Sequence, residues 1–105
     1  MKLVFEQEYL RELYETGKTT GKKHRFQPSV VSRYQKTVRI LRSVPSAEYL
    51  FRYKGLHYEI LRGDKGGLES VRVNDQYRLE FKTTEVVSET VVIVCNVIEL
   101  SNHYK

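Results

Sequence analysis

Residues 56–81 read LHYEILRGDKGGLESVRVNDQYRLEF and carry the pattern that decides the fold. Apolar and polar residues alternate in three segments, which are centred on Tyr58, Val71 and Leu79. Such alternation is typical of β-strands that bury one face. Turn-forming residues separate the segments at positions 63–67 and 74–75. The stretch therefore predicts three antiparallel strands that are joined as consecutive hairpins.

The residues that follow predict a longer strand. Residues 91–100 are almost continuously apolar, and such runs are typical of central strands that are covered on both faces. At the other end of the chain, residues 2–5 can add a short edge strand. Cys95 is the only cysteine and lies inside the apolar run, so we interpret it as a core residue and predict no disulfide.

Two helices precede the strands. Residues 6–15 place Tyr9, Leu10 and Leu13 on one stripe, and Pro28 opens a second helix that Pro45 ends. A short polar loop joins them, which favours a helical hairpin. The predicted fold is thus α+β, a single domain over residues 1–105 with two helices packed on one face of a twisted antiparallel sheet of four or so strands. We expect these residues in or near the core: Val71, Val73, Leu79, Phe81, Ile93 and Val94.

The composition limits the class of protein. Hydrophobic residues make up 40% and charged residues 30% of the 105 residues, as in folded domains. No apolar run approaches the roughly 20 residues of a membrane span, and the first residues do not resemble a secretory signal. Cytoplasmic residence without a membrane partner is therefore the expectation.

The charge balance suggests an anionic partner. Lysine and arginine number 18 against 13 acidic residues, for a formal net charge of +5. A surplus of this kind favours a polyanion or an acidic protein as partner when the basic residues gather on one surface. Residues 22–25 are a basic loop that is either a solvated connection or a phosphate contact. The second helix carries a basic flank of Arg33, Lys36, Arg39 and Arg42.

Polar side chains converge on the sheet face that the helices leave open. On consecutive hairpins these positions lie close together, although a solvated sheet face is the alternative interpretation. The expected side chains are His57 and Glu59 on the first strand, Ser70 and Arg72 on the second, and Arg78 and Glu80 on the third. His103 and Tyr104 follow the long strand directly, so they are either held near this surface or form a frayed end.

Common catalytic motifs are absent from the sequence. His24, His57 and His103 lie far apart, which makes a metal site improbable. The glycine-rich turn at residues 63–67 joins two strands, so it is not a phosphate loop that opens a helix. A GxSxG nucleophile motif is also missing.

The polar turns and strands have a specific order that resembles the HigB branch of the RelE/ParE superfamily of toxins, also called plasmid maintenance killer proteins. The matching stretches are Leu61 to Asp64, Ser70 to Val73, Asn74 with Asp75, and Tyr77 with Arg78. The two leading helices and the final histidine and tyrosine extend the resemblance over nearly the whole chain. Some HigB proteins end in Asp-Tyr-His, whereas this chain has Asn102, His103 and Tyr104.

The resemblance implies an endoribonuclease that cleaves messenger RNA, often in the ribosomal A site, without a metal or cofactor. It assigns Arg72 and Arg78 to the phosphate, and His103 and Tyr104 to proton transfer and base stacking. The general base is either Glu59, at the position of a family histidine, or His57. The expected RNA-binding residues are Arg62, Lys65, Arg33, Lys36, Arg39 and Arg42.

The resemblance also implies partners and leaves other functions open. The partners are the ribosome, messenger RNA and a cognate antitoxin, in the HigB branch a HigA-like helix-turn-helix protein. One alternative is a ParE-like toxin that poisons gyrase without cleaving RNA. Another is a degenerate toxin that only binds its antitoxin. Fold-level likeness does not separate these alternatives.

Overall fold

A computed structural model describes residues 1–21, 23–63 and 66–102. Within these residues, two α-helices pack against a five-stranded sheet, so the predicted α+β fold is confirmed. The helices are α1 (Glu8–Thr16) and α2 (Pro28–Ser43), and the strands are β1 (Lys2–Phe5), β2 (Glu59–Ile60), β3 (Glu69–Arg72), β4 (Tyr77–Val87) and β5 (Val91–Asn102). Short 3₁₀ helices cover Ala47–Arg52 and Lys54–Leu56 between α2 and β2.

The strands lie side by side in the order β1-β5-β4-β3-β2. From β2 to β5 all pairs are antiparallel, as the consecutive turns predict. The first residues do add an edge strand, since β1 pairs with β5 in parallel with Lys2 opposite Val94. The long strand β5 is therefore interior to the sheet at residues 94–97, where both β1 and β4 pair with it.

Tertiary hydrogen bonds fix the two helices to each other. The Tyr34 hydroxyl of α2 donates to the Leu10 carbonyl at 2.8 Å, and Gln35 Nε2 donates to the Leu13 carbonyl at 3.2 Å. Gly17 ends α1 with φ +76°, a left-handed conformation that favours glycine. The helices and the inner face of the sheet enclose one core whose largest fully buried members are Tyr34, Phe81, Leu10, Leu13, Leu41, Leu50, Leu79 and Val38.

The prediction for the first strand is wrong over most of its length. Only Glu59–Ile60 is a strand, whereas Leu56 ends a 3₁₀ helix and His57 adopts a left-handed conformation with φ +45°. Leu56 is buried because the 3₁₀ helix turns it inward, and Ile60 is 62% exposed. The apparent alternation of apolar residues here thus combines a helical turn with a two-residue edge strand.

The prediction for the last strand is correct in position and wrong in burial. Cys95, Val97 and Leu100 are buried, while Val91 and Val92 are exposed, so β5 is covered mainly on one face. Its first residues extend beyond the start of β1 at Val94, and this end of the β4–β5 hairpin projects from the sheet. Of the expected core residues Val71, Val73, Leu79 and Phe81 are buried, and Ile93 and Val94 are partly buried.

Burial explains the state of the single cysteine. The Cys95 side chain is fully covered, and this burial raises the pKa of its thiol to about 12. The thiol is therefore protonated at neutral pH, as expected of a core residue. Among the described residues, no helix is long and apolar enough to cross a membrane.

Candidate functional site

Arg78 lies on the open sheet face near the start of the central strand β4. It lies on β4 beside the buried Leu79, so strand alternation directs its side chain away from the helices. The Arg78 side chain is mostly covered by the protein, with 15% of its surface exposed. A cation that is so largely covered needs acceptors around it, because an unpaired buried charge is costly.

Three groups of the protein surround this guanidinium. Its Nε and Nη2 atoms donate to Ser70 Oγ on β3 at 3.0 and 2.9 Å, and Nη2 also donates to the His57 carbonyl at 2.8 Å. Glu59 on β2 forms an ion pair with Nη2 at 3.6 Å. Contacts to two nitrogens of a planar group fix both its position and its plane. Arg78 is therefore oriented in advance of any ligand.

The two candidate bases lie beside Arg78 in different ways. Glu59 presents a carboxylate that is 57% exposed, and the prediction of its place on the strand face is correct. His57 precedes the strand, and its contact with Arg78 uses the backbone carbonyl rather than the imidazole. The prediction that His57 shares a strand face with Glu59 is therefore wrong, because the left-handed turn removes His57 from the alternation.

Arg72 and Arg78 are opposite each other on neighbouring strands, as predicted. The Arg72 guanidinium bonds to Asp75 in the turn between β3 and β4, and its side chain is 37% exposed. Each guanidinium thus has its own carboxylate, Asp75 for Arg72 and Glu59 for Arg78. These pairs reduce the repulsion between the two cations without covering Arg72.

The acidic residue Glu80 completes this face. It is buried, with 6% of its surface exposed, and its backbone pairs with Ser70 on β3 and Glu99 on β5. We call the set of Glu59, Ser70, Arg72, Arg78 and Glu80 the open-face cluster. The sequence indicated the shared face of these residues but gave no sign that Ser70, which is 1% exposed, holds Arg78.

A second polar cluster lies on the opposite, helix-facing side of the same strands. The Glu69 carboxylate accepts from the Tyr58 hydroxyl at 2.5 Å, and from the Thr83 amide and hydroxyl at 3.0 and 2.8 Å. Burial and the bond to Glu69 raise the pKa of Tyr58. We call Tyr58, Glu69 and Thr83 the inner cluster. Sequence patterning missed it, because Glu69 occupies a position that alternation reserves for apolar residues.

The remaining predicted site residues are placed only in part. His103, Tyr104, Lys65 and Lys22 lie outside the described residues. Arg62 is exposed beside the glycine-rich turn, and the basic flank of α2 is exposed at all four positions. In the basic loop, the His24 ring stacks on Tyr9 with centroids 3.7 Å apart, which ties part of that loop to α1. Among the described residues, no group of histidine, cysteine and carboxylate side chains could hold a metal ion.

Comparisons with known proteins identify a family. The model of a family described as the RelE-like toxin of type II toxin-antitoxin system HigB matches residues 3–94. Among solved structures, the fold is similar to that of a YoeB/ParE toxin from Agrobacterium tumefaciens, with a TM-score of 0.60 and 20% identity over 99% of this chain and 100% of that chain. At this identity the likeness shows the fold alone. A comparison with curated proteins gave no significant match.

Proposed function

Because the chain belongs to the HigB-like family of RelE-like toxins of type II toxin-antitoxin systems, we propose that it is a ribosome-dependent endoribonuclease that cleaves messenger RNA and so inhibits translation. The observation that carries the proposal is the Arg78 guanidinium, which hydrogen bonds hold in a fixed orientation on the open sheet face. An enzyme that moves charge onto a phosphate gains most from a cation whose position is fixed before the substrate binds.

The proposed reaction is transesterification of the RNA backbone. A base removes the proton from a 2′-hydroxyl, the 2′-oxygen bonds to the adjacent phosphorus, and the bond to the 5′-oxygen breaks. An acid returns a proton to that oxygen, which gives a 2′,3′-cyclic phosphate and a 5′-hydroxyl end. In the transition state, negative charge grows on the phosphate oxygens, and positioned cations lower the barrier.

The residues of the open-face cluster suit these steps. Arg78 stabilises the scissile phosphate of the RNA. Arg72, whose side chain is more exposed, binds the RNA strand beside that phosphate. Glu59 is the better placed base, since its carboxylate is exposed at the edge of the cluster. Proton transfer and stacking by His103 and Tyr104 follow from the family resemblance and remain part of the proposal.

The partners are proposed on the family and on charge. A type II toxin is paired with an antitoxin, and we propose a HigA-like helix-turn-helix protein in that role. The exposed basic flank of α2 is proposed to contact ribosomal RNA. Phosphate contacts release counterions, so ribosome affinity is expected to fall steeply with salt.

A cleavage assay on defined ribosomes tests the proposal. Purified toxin is added to ribosomes programmed with a labelled messenger RNA, and gyrase supercoiling is measured in parallel with the same preparation. We expect cleavage at codons in the A site, none of the same RNA without ribosomes, and no effect on gyrase. Inhibition of gyrase without cleavage would assign the chain to the other class of toxin. Loss of both activities in a folded protein that binds its antitoxin would indicate a degenerate toxin.

A further inference from the structure

A cleft separates α2 from the edge of the sheet next to the open-face cluster. Its volume is about 330 Å³, which is in the range of pockets that hold small ligands. Helix α2 forms one wall of the cleft. The 3₁₀ helix Lys54–Leu56 and the end of β3 form the other wall. The lining residues are Arg33, Lys36, Thr37, Ile40, Tyr53, Gly55, Leu56, Arg72 and Val73.

The cleft carries three cations and no anion among the described residues that line it. Arg33 and Lys36 lie one helical turn apart on α2 and are exposed. Within the described part of the chain, neither side chain forms an ion pair, whereas Arg11 on α1 pairs with two glutamates. Arg72 enters from the opposite wall. Because Arg72 is paired with Asp75, the uncompensated positive charge at this cleft comes from Arg33 and Lys36, and it favours an anionic ligand.

The floor of the same cleft is apolar. Leu56 and Val73 are buried beneath it and Ile40 is partly buried, while Tyr53 stands at the margin with 40% of its surface exposed. An exposed tyrosine beside apolar side chains offers a flat surface on which a nucleobase can stack. The ligand that fits both features has a flat apolar part and a phosphate.

We propose that this cleft binds one nucleotide of the RNA strand, with its base against Tyr53 and its phosphate between Arg33, Lys36 and Arg72. The proposal rests on the proposed ribonuclease function and identifies a part of its substrate site. The nucleotide is the one that lies next to the scissile phosphate along the strand.

Two connections to the open-face cluster place this nucleotide in the strand. Arg72 lines the cleft and is also the direct partner of Arg78, so their Cα atoms are about 5 Å apart. Gly55 and Leu56 line the cleft, and the next residue, His57, supplies the carbonyl that holds Arg78. One continuous polyanion can thus contact both places. An acidic segment of the antitoxin is the other ligand with this charge, but a protein partner spreads its contacts over a far larger surface.

Binding of short RNA tests this site directly. The probe is a fluorescent single-stranded RNA of seven nucleotides, with 2′-O-methyl groups throughout so that it cannot be cleaved, titrated with the full chain at low salt. We expect the double variant Arg33→Gln/Lys36→Gln to bind about 10-fold more weakly and to lower the slope of log K against log salt by about 2. The control Lys2→Gln/Lys18→Gln removes equal charge at two exposed lysines outside the cleft and should change the affinity less than 2-fold.

Stacking is tested by a second matched pair. Tyr53→Leu should weaken binding about 10-fold, and Tyr53→Phe should bind like the parent because it keeps the ring. Tyr49 is 39% exposed and lies outside the cleft, so Tyr49→Leu should have less than a 2-fold effect. An RNA with one abasic position, moved along the strand, should reproduce the Tyr53→Leu loss at a single position. At that position Tyr53→Leu should cause no further loss.

The outcomes separate the site from the proposed activity. Equal losses in the cleft and control variants would overturn the proposal, because binding would then reflect net charge. Normal RNA binding by cleft variants that escape neutralisation by the antitoxin would also overturn it and assign the cleft to an acidic polypeptide. A parent chain that binds RNA through the cleft but cleaves none on ribosomes would support the site and remove the ribonuclease function. Cleft variants that bind RNA and cleave it like the parent would overturn the proposed site and leave the ribonuclease function standing.

Discussion

Glu69 and Ser70 are neighbours in the chain, yet they belong to two polar clusters with different architecture. In the inner cluster, Glu69 is buried and receives three hydrogen bonds, from Tyr58 and from two groups of Thr83. In the open-face cluster, Ser70 is also buried but accepts from Arg78, whose guanidinium reaches the surface. One residue step therefore separates a closed network from an open one.

On the proposed function, the closed network contributes to stability and the open network contributes to catalysis. A closed network satisfies its own groups, and breaking it leaves buried donors without acceptors, which lowers stability. An open network fixes a charged group at the surface, where a ligand can meet it. We therefore expect substitutions in the two clusters to separate loss of stability from loss of activity.

The largest expected effect is that of Arg78→Ala. Loss of one positioned cation should lower the rate of RNA cleavage by about 100-fold or more. Arg78→Lys keeps the charge without the two-point contact to Ser70, and should restore only part of the rate. The measurement is single-turnover cleavage on programmed ribosomes, with thermal melts to show that the variants fold. Parent-like cleavage by folded Arg78→Ala would mean that the open-face cluster is not the active site.

His103→Gln is expected to abolish cleavage and growth arrest as well, because the resemblance makes this residue a proton-transfer group. The variant is expected to melt like the parent, with a change in stability of less than about 0.5 kcal/mol. Growth after induction and RNA cleavage are the readouts. A folded His103→Gln protein that still arrests growth by cleaving RNA would remove this residue from the mechanism.

Glu69→Ala should lower the stability of the protein and leave RNA cleavage largely unchanged, whereas Arg78→Ala should do the reverse. Removing the carboxylate leaves the Tyr58 hydroxyl and the Thr83 amide without their acceptor, at a cost of about 2–3 kcal/mol. For a domain of this size that corresponds to a melting temperature about 10 °C lower. Glu85→Ala removes an exposed carboxylate from the neighbouring strand β4 and should change stability by less than about 0.5 kcal/mol. A large loss of cleavage by Glu69→Ala below its melting temperature would contradict the division of roles.

Ser70→Ala tests whether the open-face cluster also depends on orientation. The variant keeps Arg78 but removes the acceptor for two of its nitrogens, so we expect cleavage to slow by about 10-fold while RNA affinity is unchanged. A decrease in affinity with an unchanged rate would show that Ser70 acts on binding rather than on the orientation of Arg78. The rate and the affinity must therefore be measured separately.

The smallest expected effect concerns Tyr58 and alkaline pH. The folded protein holds the Tyr58 proton above the ordinary pKa of about 10, because burial and Glu69 raise the pKa. The unfolded chain releases that proton near pH 10, so this stabilisation is present below pH 10 and is lost as pH rises above it. Tyr58→Phe should cost about 1 kcal/mol at neutral pH and weaken the alkaline decrease in stability. An alkaline decrease that Tyr58→Phe leaves unchanged would assign it to other groups, such as the buried Tyr34.

The sequence predicts most of the fold because its periodicities are local and strong. The helix at Pro28, the turn at Asn74 and the alternation from Val71 to Phe81 each specify their own structure. The errors arise where tertiary context overrides the pattern. Leu56 and His57 fit the alternation of a strand, yet Leu56 lies in a 3₁₀ helix and His57 ends it. The 3₁₀ helix forms here because it buries the Leu56 side chain in the core.

The open-face cluster could be predicted as a shared face but not as a geometry. Alternation places Ser70, Arg72 and Arg78 on one side of two strands, which the structure confirms. The hydrogen bonds that orient Arg78 depend on the register between strands and on the His57 carbonyl, and neither is encoded in a local pattern. The inner cluster was missed for the same reason, since Glu69 gains its partners only when β4 and Tyr58 pack around it.

Mapping of RNA ends in growing cells tests the central claim most directly. The parent chain and Arg78→Ala are induced briefly, and RNA with 5′-hydroxyl ends is ligated and sequenced. The proposed mechanism predicts new 5′-hydroxyl ends within translated codons for the parent, and their loss in Arg78→Ala at equal protein levels. Growth arrest by the parent without new ends, or the same ends in both strains, would contradict the assignment of Arg78 to messenger RNA cleavage.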